Sequence, residues 1–94
     1  MGAAARMANR YRQVIFEFIN GEMSPPEFER SYLSLFKSDT TKVGGEKFDI
    51  LDKLFADVDA FVEDPELRDR VYGSIDSEEL LDCAREAYRK LYES

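Results

Sequence analysis

Apolar residues in this chain recur at alternating steps of three and four, in four separate stretches. That spacing keeps one face of an α-helix apolar, and it does not fit the period of two that a half-buried strand requires. Tyr11, Val14, Ile15, Phe18 and Ile19 mark a first helix over residues 9–20, with Gly21 placed for a left-handed cap. Phe28, Tyr32, Leu35 and Phe36 mark a second. It opens on Ser24-Pro25-Pro26-Glu27, where Ser24 is the N-cap, Pro25 suits the first helical position and Glu27 completes a capping box. Phe48, Leu51, Phe55, Val58 and Val62 form the seam of a third helix over residues 46–62, widened by Leu54 and Phe61 and stopped by Pro65. Leu80, Ala84, Ala87 and Leu91 give the fourth, capped by Asp76 with Glu79 in the reciprocal position. Residues 38–45 read as a polar connector, and residues 66–75 as a short helical turn before Gly73.

Four amphipathic helices on short loops imply an all-α fold, a single antiparallel four-helix bundle. A length of 94 residues permits one core and not two. Twelve aromatic side chains within 44% hydrophobic content let that core form without disulfides or metal. The bundle domain is expected over residues 9–94, behind a flexible N-terminal extension at residues 1–8. No apolar run reaches the roughly 18 residues of a membrane span, and the N-terminal stretch has no signal-peptide core. The expected location is cytoplasmic, with no membrane partner.

The residue inventory removes most chemistry. There is no histidine, which excludes Ser-His-Asp and Cys-His arrangements and the usual imidazole metal ligand. The lone Cys83 supports neither an internal disulfide nor a zinc motif, and its place between Leu80 and Ala84 reads as a small buried or half-buried side chain. Asp57-Val-Asp59 begins like a calcium loop, but Phe61, Val62 and Arg68 stand where an oxygen ligand, the turn glycine and the bidentate glutamate belong. The expectation is a protein with no enzymatic activity, no cofactor and no metal.

What remains is charge. Between residues 49 and 69 the acids are Asp49, Asp52, Asp57, Asp59, Glu63, Asp64, Glu66 and Asp69. Only Lys53 and Arg68 oppose them, leaving six of the chain's seven net negative charges here. On a continuous helix Asp49, Asp52, Asp59 and Glu63 share one stripe, flanked by Asp57. A solvated helix face ordinarily mixes signs, because i, i+4 pairs contribute about 0.2–0.5 kcal/mol each and like charges cost as much. Stacked acids therefore point to a surface made for a cationic partner, and an acidic chain is a poor nucleic-acid binder. Phe61, beside Asp59 and Asp64, has two readings: a core residue, or an anchor in that surface.

Three motifs then carry a resemblance: F-x-x-G-E-x-S-x-x-x-F-E from Phe18, Y-L-x-L-F-K from Tyr32, and L-x-x-L-F-A-D-V-D-A-F-x-x-D-P-E-L-R from Leu51. Together they resemble the bacterial self-protective colicin-like immunity family, of which colicin D immunity proteins are members, over about residues 11–92. The resemblance implies a four-helix antiparallel bundle. It also implies one-to-one binding to the C-terminal nuclease domain of a cognate bacteriocin or contact-dependent toxin. In the colicin D kind that toxin is a tRNase, whose active site is covered by negative charge standing in for RNA phosphates. Asp57, Asp59, Phe61 and Asp64 are the toxin-binding candidates within the motif, and Asp49, Asp52, Glu63 and Glu66 are added from charge. The alternative kept open is a non-enzymatic acidic adaptor for another basic protein.

Overall fold

The computed structural model describes residues 2–93, and it is all-helical. Helices α1 (Ala3–Ile19), α2 (Pro25–Ser38), α3 (Glu46–Asp59), α4 (Pro65–Arg68) and α5 (Ser77–Tyr88) follow one another, and α5 runs on into a π-helical turn, Arg89–Glu93. Among the described residues the only extended pairing is an isolated bridge between Phe61 and Ile75. Helix α1 packs on α2, α3 and α5, while α2 meets α3 and α3 meets α5. A Cα radius of gyration of 13.2 Å is that of a compact domain of this length.

Local chemistry sets most helix ends. The Ser24 N–H donates to Glu27 Oε1 at 3.1 Å and the Glu27 N–H donates to Ser24 Oγ at 3.3 Å, closing the capping box expected for α2. Asp76 and Glu79 do the same for α5, at 3.1 and 2.8 Å. Gly21, at φ +76°, provides the left-handed residue that ends α1, and the Glu22 N–H reaches back to the Glu17 carbonyl at 2.9 Å.

Two boundaries differ from the sequence reading. Helix α1 starts at Ala3, not near residue 9, so residues 3–8 are helical, and Met7 and Ala8 are only 1% and 2% exposed. Ala3, Ala4, Ala5 and Ala8 are strong helix formers, and Met7 continues the buried face one turn ahead of Tyr11. The second difference is in α3, which ends at Asp59 instead of running to Val62. The Val62 N–H donates to the Ile75 carbonyl (3.1 Å) and the Ile75 N–H to the Ala60 carbonyl (3.0 Å), so backbone groups that would extend the helix are used across the chain. Pro65 does not stop α3. It opens α4, whose N-cap is Asp64, with Oδ1 accepting from the Glu66 N–H at 2.9 Å.

The core is largely aromatic. Phe18 stacks on Phe28 (4.2 Å between centroids, 7° between planes), and Phe36 stacks on Phe55 at 4.5 Å. Buried hydroxyls have partners: Tyr32 donates to the Leu51 carbonyl at 2.8 Å, and Tyr11 to Asp39 at 2.7 Å. The connector after α2 straps this end of the core. Lys42 lies over the Phe36 ring, 4.2 Å from its centroid, and donates to the Phe36 carbonyl. The π-helical turn is anchored by Tyr92, which donates to the Ala8 carbonyl at 2.6 Å beneath the Arg12 guanidinium.

Candidate functional site: an acidic face

Helix α3 buries Leu51, Leu54 and Val58, a 3-4 seam that Phe61 continues just past the helix end. That seam turns Asp49, Asp52 and Asp59 outward, and all three are exposed. The helix carries one cation on its outer side, Lys53, and its ammonium is held by Asp57 at 2.9 Å. Pairing with Asp57 holds the Lys53 pKa above its usual value. Lys53 thus pairs with Asp57 and also lines a shallow groove with Asp49, leaving Asp52 and Asp59 further from it along the outward face.

Asp57 is set apart from the other acids. Its side chain is 22% exposed and lies toward α5, where Lys53, Cys83 and Lys90 line the same crevice. Burial, and then the Asp57 carboxylate, push the Cys83 thiol up to about 11. A thiol with that value is almost wholly protonated at neutral pH and a poor nucleophile. The half-buried structural reading of Cys83 therefore holds.

Glu63, Asp64 and Glu66 are exposed in the segment that follows α3, so Glu63 extends the acidic surface but is not on the α3 stripe. Phe61 is 5% exposed and belongs to the core, which withdraws it as a free surface anchor. Of its two sequence readings, the structure supports the core one. One acidic neighbour was missed. Glu29 on α2 is half-buried, and burial raises its pKa. Arg30 offsets part of the shift, while the Asp59 and Glu63 carboxylates add to it. Three carboxylates from α2, α3 and the following segment thus feel one another's field. Sequence spacing had no means of placing Glu29 there, because the neighbourhood exists only once α2 packs on α3.

A groove of about 560 Å³ lies between the α1–α2 turn and the start of α5 and includes none of these acids, while Asp49 lines another of about 380 Å³ with Lys53 and Lys90. Among the described residues no three His, Cys, Asp or Glu side chains converge as metal ligands would, and no helix is long and apolar enough to cross a membrane. Fold and surface together define a small all-helical protein whose distinctive feature is a patch of carboxylates.

The chain belongs to the bacterial self-protective colicin-like immunity family, whose model matches residues 7–91. That family suggests a bacterial toxin immunity protein, which acts by binding a cognate toxin. No curated protein and no solved structure matched the chain.

Proposed function

We propose that this protein neutralises the nuclease domain of a cognate bacterial toxin, a tRNase of the colicin D or contact-dependent type, by laying its acidic face over a basic active site. The observation that carries this reading is the run of exposed carboxylates, Asp49, Asp52 and Asp59 on α3 and Glu63, Asp64 and Glu66 just after it. Bringing like charges together costs stability, a cost expected where function requires the arrangement. A tRNase must present cations to phosphates, and carboxylates held on packed helices compete for the same cations. The ring of packed pairs α1–α2, α2–α3, α3–α5 and α5–α1 supports an antiparallel four-helix scaffold for that face. Binding is one-to-one, without catalysis by this chain, and it takes place in the cytoplasm, where the RNA is. Complementary charge also raises the association rate, toward about 10⁸–10⁹ M⁻¹s⁻¹ at low salt, which suits inhibition of a lethal enzyme.

The test is a triple charge reversal, Asp52→Lys, Asp59→Lys and Glu63→Lys, titrated into the C-terminal domain of the cognate toxin. The three positions are exposed, so the variant should fold as the parent does. Affinity should fall by several kcal/mol, the cost of like charges set against each other across an interface. Wild-type affinity in the reversed variant would place the interface elsewhere.

A further inference from the structure

We infer that Leu67, Val71 and Tyr72 form the apolar anchor by which this protein holds a cationic partner, with Tyr72 as the principal contact. The inference rests on the toxin-binding reading above and supplies the contact residues that reading lacks. Leu67 and Val71 are 50% and 48% exposed, and Tyr72 is fully exposed. The Val71 N–H donates to the Leu67 carbonyl at 3.1 Å, so the two side chains stand one helical turn apart with Tyr72 adjoining. Small domains seldom leave a run of large apolar side chains open to water without a binding role.

The segment is held in shape before any partner arrives. Arg68 donates to the carbonyls of Val62 (3.2 Å) and Glu63 (3.4 Å), and Ser74 Oγ donates to the Arg68 carbonyl at 3.1 Å. Asp64 caps the start of the turn, and Gly73, at φ +79°, reverses the chain toward the Phe61–Ile75 bridge. A braced loop loses little conformational freedom on binding, so more of its contact energy appears as affinity.

Charge selects the occupant. Glu63, Asp64, Glu66 and Asp69 flank these residues in the chain and are exposed; Arg68 and the exposed Arg70 oppose only two of the four, so the segment stays net negative. Glu63 and Asp64 link the end of α3 to this turn along the chain, so the apolar residues follow directly on the acidic run. A second copy of this chain is the poorer partner, because two-fold pairing sets two net-negative segments against each other. A basic protein with an apolar recess beside its cations is the fitting one. Tyrosine is favoured among dominant interface residues and leucine is not, so Tyr72 carries most of the energy while Leu67 and Val71 exclude water around it.

The experiment compares the wild type, Tyr72→Ala and the double variant Leu67→Ser/Val71→Ser, each titrated into the C-terminal domain of the cognate toxin by calorimetry and surface kinetics. Thermal unfolding and sedimentation of the free proteins run alongside. We expect unchanged unfolding temperatures, and affinity at least about 30-fold weaker for Tyr72→Ala, carried by faster dissociation. Tight wild-type binding with both variants equal to it would overturn the anchor and leave the immunity reading intact. No wild-type binding would remove the immunity reading and this inference with it. A wild-type dimer that Tyr72→Ala converts to monomer would assign the patch to self-association and overturn the inference.

Discussion

Glu29 shows what one side chain contributes here that its sequence neighbours do not reveal. Its folded pKa is raised above the ordinary 4.5, by burial first and then by Asp59 and Glu63. A raised carboxyl pKa means that folding disfavours the charged form. The ionised side chain therefore costs stability above its folded pKa, and the cost disappears as pH falls through that value toward the unfolded one. Glu29→Gln should accordingly stabilise the protein at pH 7, by less than about 1 kcal/mol given partial solvent screening. The difference from wild type should close on acidification. Urea unfolding at pH 7 and pH 4 is the measurement, and a variant less stable than wild type at pH 7 would contradict the assignment. Phe61 and Tyr72 make the complementary point. Both are aromatic residues in the stretch that follows α3, yet one is buried and the other fully exposed.

At the scale of elements, the starts of α2 and α5 were legible because they are built from side chains only three residues apart. The Ser24–Glu27 box satisfies two otherwise orphaned donors of α2. Ser24→Ala should therefore cost about 1 kcal/mol. This would appear as a lower denaturation midpoint with an unchanged slope. Retention of the full midpoint would mean that the box is redundant with packing on α1. The end of α3 was not legible. Its apolar spacing continues through Phe61 to Val62, but Ile75, more than a dozen residues further on, takes up the backbone groups that would have prolonged it. Ending α3 at Asp59 moves Glu63 off the helix, and the acidic stripe becomes a helix face joined to a braced loop.

For the whole molecule, the consequence of covering a phosphate-binding cleft is competition. If carboxylates on this protein occupy the cations that tRNA requires, then tRNA and this protein must exclude each other on the toxin. A catalytically dead toxin domain loaded with tRNA should release it one-for-one as this protein is titrated in. Association should slow steeply with added salt, since exposed charges are screened over about 8 Å at 0.15 M. Dissociation should change less, because desolvated apolar contacts hold the formed complex. A stable ternary complex of toxin, tRNA and this protein would exclude the cleft as the binding site and move inhibition to a remote surface.

The amino-acid order alone determined the class of fold, the starts of α2, α3 and α5, and part of the apolar seam. Each depends on spacing within one or two turns, over which backbone geometry is nearly fixed. Leu51, Leu54 and Val58 face inward because the helical period leaves them no other side. It also determined that the negative charge is concentrated in one segment, since charge belongs to composition. Only the tertiary structure decided which of those charges face outward. Asp57 is turned aside to Lys53 and the α5 crevice, Glu29 is brought in from α2, and Phe61 is taken into the core while Leu67, Val71 and Tyr72 are left open. The physical reason is range: a cap or a helical stripe is settled by neighbours in sequence, whereas exposure and shared electrostatic field are settled by whichever distant segment packs alongside.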